Sequence, residues 1–277
     1  MFIHSGDFFY LFTIIINMEK KFNIDNVFFN TRLQEVADTY PFPDIKLPVC
    51  LDVGANVGAF SLPMSFYCDK VISIEPFKEN YDYMVSMIDK YDRNNIIPIN
   101  KAIYPSDGEI VEMSVVENNT DSKDITCIGK RDDMVSLGSV ETISLESIIE
   151  EYGEIDYMKV DCEGCEWDLL YGKDLSKVKA IVTEIHPGYI GGEDNKDKLL
   201  DYLNKEFDVS HYMYQEFRPP SFKPTEFLFR RQDTSKYENN MVIRFAAHNP
   251  KVAILSPECP KRFNEWIKMC GMFVQPI

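Results

Sequence analysis

Short apolar runs recur along the chain, separated by stretches in which apolar residues return every three or four positions. The first pattern suits strands buried on both faces and the second suits amphipathic helices. Residues 49–53, 71–74, 96–99, 155–160 and 180–185 are the strands this predicts. Val57, Phe60, Met64 and Tyr67 keep helical spacing after a glycine turn, with Pro63 set to kink or shorten that helix. Tyr81, Met84, Val85 and Ile88 mark an amphipathic helix from Glu79, and Ser144 is placed to N-cap one bearing Leu145, Ile148, Ile149 and Tyr152. Further helices are expected from Gly164 through Leu170 and over 196–205.

The remaining segments read less regularly. Residues 23–38 suit a surface hairpin or arm leading to a short helix near 31–37, and the prolines of Y-P-F-P-D-I-K-L-P keep the following lead-in extended. Asp107-Gly108 signals a hairpin between two extended runs, and 118–133 is polar and turn-rich. Runs at 208–214 and 241–246, joined without a helix, predict a final antiparallel pair. Phe263, Trp266, Ile267 and Cys270 place one apolar face on a terminal helix. Alternating strands and helices point to an α/β fold, an open, mostly parallel seven-stranded sheet with helices on both faces and an antiparallel edge strand. The expected division is 1–48 as arm and lead-in, 49–248 as the main domain and 249–277 as a helical tail.

In such sheets the ligand sits beyond the carboxyl ends of the strands. The tips here are polar: Asp52 to Gly58, Glu75, Asn100 to Ile103, Asp161 to Glu166, and Glu184 to His186. Gly54, Asn56 and Gly58 form a turn that can bring backbone N–H groups to a ligand. Asn56 stands where a dinucleotide fingerprint needs its second glycine, which disfavours NAD. Glu75, roughly 20 residues past the turn, sits where nucleotide-binding βαβ units keep an acid for ribose hydroxyls. Asp161 and Glu163, and likewise Glu184 and His186, are two residues apart, so extended backbone puts each pair on one face. Together they offer a base with an orienting partner, His186 being the candidate base, or oxygens for a hard ion such as Mg²⁺. No metal ligand is assigned.

Three strings, L-D-V-G-A-N-V-G from Leu51, I-S-I-E-P-F from Ile72 and I-D-Y-M-K-V-D-C-E-G-C-E from Ile155, resemble the FkbM-type methyltransferases. The resemblance covers roughly 49–186 in matching order. It implies a Rossmann-like class I fold and the use of S-adenosylmethionine (SAM) to methylate hydroxyl oxygens, mostly of sugars and natural products. On that reading Asp52 and Asp161 face the sulfonium and amino group, Glu75 and Pro76 the ribose. Phe77, Ala102 and Ile103 then lie by the adenine, with Phe77 and Ile103 as its two walls. Asp161, Glu163 and His186 are the catalytic candidates, and Lys159 and Glu166 are structural. Ribose methylation of RNA, a nicotinamide oxidoreductase and an inactive binding module of the same fold are the competing readings.

Composition narrows these. A net charge of −16 and pI near 4.7 disfavour a general nucleic-acid binder. The basic-aromatic segment 215–240 reads either as a surface hairpin or as an insertion over the acceptor pocket, where its rings could stack on sugars. Seven cysteines read as reduced thiols of a cytoplasmic protein, with C-x-x-C at Cys162 and Cys165 a chance pairing. The apolar run 8–16 is shorter than the roughly 20 residues a membrane span needs and has no basic flank, so it reads as a strand or docking arm.

Overall fold

The computed structural model describes residues 26–43, 45–116, 125–127, 134–187, 192–212 and 225–231. Its main sheet is built from β1 (Leu47–Val53), β2 (Cys68–Ile74), β3 (Ile96–Ile99), β7 (Tyr157–Val160), β8 (Ala180–Ile185), β9 (Phe207–Tyr212) and β10 (Thr225–Arg231). Their order is β3-β2-β1-β7-β8-β10-β9. The first five run parallel, β10 is antiparallel to both neighbours, and β9 forms an edge paired antiparallel to β10. A smaller sheet contains β4 (Ala102–Ile103), β5 (Ile110–Val116) and β6 (Met134–Ile143).

The period of two along each strand divides the core into two layers. Cys50, Val71, Tyr157 and Val182 face one layer, covered by α1 (Asn26–Thr39), α2 (Ser61–Met64) and α3 (Lys78–Lys90). Leu51, Ile72, Met158 and Ile181 face the other, covered by α4 (Leu145–Tyr152), α5 (Glu166–Leu170) and α6 (Glu193–Leu203). Burying each such side chain contributes about 1.5–3 kcal/mol. One row breaks the apolar rule. Ser73, Asp52 and Lys159 sit side by side across β2, β1 and β7, all buried.

Several expectations change. Residues 26–39 form one helix instead of an arm with a short helical end. Phe29, Leu33, Val36 and Tyr40, spaced by three or four, are all buried along it and join the core cluster of β1. The helix after the glycine turn shrinks to Ser61–Met64, which contains Pro63. Asp107-Gly108 does not close a hairpin: β4 and β5 both pair with β6, β4 parallel and β5 antiparallel. Ser144 does cap α4, its hydroxyl accepting from the Ser147 N–H. Among the described residues the antiparallel partner of β9 is β10; 241–246 lies outside the described residues, as do 8–16 and the terminal tail. Part of the expected insertion 215–240 is thus core strand, with Phe229 packed edge-on against Phe207 at 6.4 Å. Cys162 and Cys165 are disulfide-bonded, which corrects the reading of their spacing as chance, while Cys50, Cys68 and Cys127 are free.

Candidate active site

Because β1, β2, β7 and β8 run the same way, the residues after their last positions gather along one edge. Gly54 follows β1, its N–H and that of Ala55 both donating to the Ile74 carbonyl of β2. Gly54 has φ +74°, and a Cβ there would stand 1.8 Å from the Asp161 carbonyl oxygen. Its glycine requirement therefore comes from the seam between the two loops. Gly58, at φ +81°, is held to glycine by Met84, whose Cγ would lie 2.9 Å from a Cβ. Asn56 takes φ +50° between them and accepts the Val57 N–H on Oδ1.

Glu75, 5% exposed, ties the turn to β2. Its Oε2 accepts from the Asn56 N–H at 2.7 Å and its Oε1 from the Phe77 N–H at 3.0 Å. Burial pushes its pKa up to about 7, with the N–H groups of Phe77 and Asn56 pulling the other way. Oε1 also accepts from Asn80 Nδ2 at 3.5 Å, so Oε2 is the oxygen that keeps a second lone pair for a ligand hydroxyl. Asn100 donates to the carbonyls of Glu75 and Pro76, fixing that strand end. Phe77 packs against the cluster of Ala102, Met113 and Val140, and the Cys127 thiol is pushed up to about 12 by burial first and by the Glu75 charge second. Ile103, next to Ala102 in β4, is buried in the core layer of α4.

Asp52 is completely buried beneath the turn. Its Oδ2 accepts from Ser61 at 2.5 Å, and its Oδ1 lies 3.3 Å from Lys159 Nζ. That placement supports the loops from below. Lys159 also donates to the Gly54 carbonyl at 2.8 Å and stands 3.6 Å from Asp161 Oδ2. Burial would lower its pKa, but Asp52 first and then Asp161 hold it above the usual lysine range. Asp161, with a side chain 26% exposed, does open onto the site. Burial would raise its pKa; Lys159, His186 and the Tyr40 hydroxyl together keep it below the usual range. Tyr40 Oη donates to Asp161 Oδ2 at 2.8 Å and lies 3.5 Å from Glu184 Oε2.

His186 stands among carboxylates. Nδ1 is 2.8 Å from Oε1 of the fully buried Glu166, and Nε2 is 3.5 Å from Glu163 and 3.8 Å from Glu184. Burial would depress its pKa, yet the hydrogen bond to Glu166 and the charges of Glu166, Glu163 and Glu184 lift it well above 6.5. Glu163 has φ +52° and Gly164 φ +116° in the loop that the Cys162–Cys165 bond closes. Donor atoms of Asp161, Glu163 and His186 lie within 4.8 Å of one another, a set able to hold a metal ion. Tyr40, the Glu166 contact, Cys127 and the disulfide all escaped sequence reasoning. For the disulfide, the C-x-x-C spacing was the available signal.

A seven-stranded sheet with β10 reversed between β8 and β9, and polar strand tips around a glycine turn and an acid after β2, defines a Rossmann-like class I methyltransferase. The sequence matches the Methyltransferase FkbM domain over residues 52–215, and the chain belongs to that family. Among solved structures it is similar to SMU.1697c of Streptococcus mutans, in complex with SAH (10% identity, 73% of this chain and 96% of that one, TM-score 0.43). It is similar also to an rRNA methylase of Streptococcus thermophilus (11%, 73% and 93%, TM-score 0.41). A third is the pre-rRNA processing protein fibrillarin of Methanococcus jannaschii (13%, 72% and 73%, TM-score 0.42). No curated protein matches the chain. Among the described residues, no helix is long and apolar enough to cross a membrane.

Proposed function

We propose that the protein transfers the methyl group of SAM to a hydroxyl oxygen of a sugar. The observation that carries this reading is the meeting of Asp161, Glu163, Glu184 and His186 at the ends of two adjacent parallel strands, beside the turn and Glu75. When bound, SAM supplies an activated methyl on a positively charged sulfur. Glu75 would take a ribose hydroxyl on Oε2, and Asp161 would face the sulfonium and amino group, whose positive charge suits a carboxylate. Phe77 and Ala102 border the adenine. Transfer to a hydroxyl would require that its proton leave, and the carboxylates gathered here are the groups that would accept it. Both nitrogens of His186 face carboxylates, an arrangement that holds the ring as an imidazolium. The proton therefore goes to a carboxylate, for which Glu163 is the candidate, while His186 steadies the charge around it. Positioning and electrostatics supply the remaining acceleration.

Carboxylates that accept from paired hydroxyls suit a sugar acceptor, and the charge of −16 works against an RNA backbone. The test is calorimetric titration of the full chain with SAM, SAH and NADH, with and without Mg²⁺, followed by transfer of labelled methyl to glycan and RNA acceptors. Micromolar SAM or SAH binding and label on glycan are expected. NADH binding alone, or label on RNA alone, would overturn the cofactor or the acceptor respectively. Loss of SAM-dependent transfer on chelation would bring in the donor set of Asp161, Glu163 and His186.

A further inference from the structure

Tyr40 precedes the residues matched to the family domain, 52–215. Three features fix its place. It follows α1 directly, its N–H donating to the Val36 carbonyl at 2.9 Å. Its ring stands edge-on to Phe60 at 5.6 Å, in an aromatic group with Phe42 and Tyr67. The next residue is pinned as well, because Tyr157 Oη donates to the Pro41 carbonyl at 2.9 Å. A phenylalanine would satisfy all of these contacts. The hydroxyl is what they leave unexplained.

That hydroxyl, on a residue only 3% exposed, has a carboxylate of the site as its partner. It donates to Asp161 Oδ2, the oxygen that also faces Lys159 at 3.6 Å. Among the described residues, both of these contacts fall on Oδ2, which leaves Oδ1 to a ligand. The same hydroxyl stands 3.5 Å from Glu184 Oε2, placing its one proton between two acids that would otherwise repel. A rigid donor that orients a reactive carboxylate is a recognised way of preorganising a site.

We propose that Tyr40 is a positioning residue of the methyl-transfer site, fixing the Asp161 carboxylate against the sulfonium and ammonium end of SAM through its hydroxyl. This rests on the SAM reading above. The geometry separates Tyr40 from Glu75, which serves the ribose end. It also makes the segment before the matched domain part of the site.

The test compares two ligands by calorimetry on the full chain. SAM carries both positive groups, while 5′-methylthioadenosine keeps the nucleoside and lacks both. Tyr40→Phe should weaken SAM about tenfold, the range for a hydrogen bond to a charged group, and leave methylthioadenosine within about twofold. Asp161→Asn should show the same ligand selectivity, and the double variant should lose no more than Asp161→Asn alone. Equal weakening of both ligands would mean a general packing role and overturn the proposal, as would additive losses. Unchanged SAM affinity in Tyr40→Phe, with wild type binding normally, overturns it while sparing the cofactor reading. Failure of the wild type to bind either ligand removes both.

Discussion

His186 Nδ1 lies 2.8 Å from Glu166 Oε1, and Glu166 has no solvent exposure. The two residues come from different elements, the loop after β8 and the start of α5. The contact fixes which ring nitrogen is left for Glu163 and Glu184. A buried carboxylate behind a histidine sets the ring's orientation and favours its charged form. On the function proposed above, Glu166 would act on the chemistry through His186 from behind the cleft.

Removing either member should therefore affect turnover more than cofactor affinity. His186→Ala is expected to lower kcat by about 10²-fold, the range for removing a group that stabilises charge in the transition state, with SAH affinity within about threefold of wild type. Glu166→Gln should follow in the same direction with a smaller loss. Steady-state kinetics alongside SAH calorimetry reads the split. An active His186→Ala enzyme would remove His186 from the mechanism.

Glu75 predicts a pH dependence. Its pKa is raised from 4.5 to about 7, mainly by burial, so the ligand-free protein holds a proton there across mildly acidic pH. Ribose hydroxyls donate to the ionised carboxylate, so binding favours loss of that proton. SAH affinity should fall about tenfold for each pH unit below 7 and level off above it. The stability sign is opposite. A carboxyl that keeps its proton longer in the folded state lowers stability as pH rises from 4.5 through about 7. Glu75→Gln should bind SAH at least tenfold more weakly at pH 8 and show a nearly flat profile; a wild-type profile in the variant would end the ribose assignment.

What the sequence exposes depends on how a residue earns its place. The central strands carry apolar runs because both faces are buried, so β1, β2, β7 and β8 are readable directly, and the edge strand β3 is readable from its own apolar run. Glu75 and Asp161 are readable because they end such runs. β6 hides because most of its side chains are solvated, and β10 hides because T-E-F-L-F-R-R resembles a basic-aromatic loop. Tyr40 and Asp161 are 121 residues apart, and no local pattern links them. Asp52 misleads in another way: an acid at a strand end suggests a ligand, but Ser61 and Lys159 already take its charge.

Lys159 gives the third prediction. It is 4% exposed and stands between Asp52 and Asp161, with the Gly54 carbonyl as a further acceptor. Lys159→Met keeps the length and removes the charge, leaving a completely buried carboxylate at Asp52 without its cation. Breaking one side of such a pair costs about 3–5 kcal/mol. Urea unfolding should show a loss of that order at neutral pH. A change below about 1 kcal/mol would show that Ser61 alone satisfies Asp52.

Gly54 joins the cofactor turn to the loop bearing Asp161 and Glu163, and its substitution tests whether that seam matters. At φ +74° a non-glycine residue is already strained by about 1–2 kcal/mol. The Cβ of an alanine would also meet the Asp161 carbonyl at 1.8 Å, far inside contact distance, so one loop has to move. If the Asp161 loop moves, its hydrogen bond from N–H to the Val53 carbonyl, 3.2 Å long, is lost with it. Gly54→Ala is therefore expected to cost about 2–4 kcal/mol of stability, combining strain with overpacking, and to remove measurable SAM binding. Gly108→Ala supplies the control. Gly108 is also at positive φ, +71°, but nothing lies within 4 Å of its Cβ position. It should lose only the strain term and keep SAM affinity. Equal losses of affinity at the two positions would mean that left-handed strain, and not the seam between the turn and the Asp161 loop, is what SAM binding depends on.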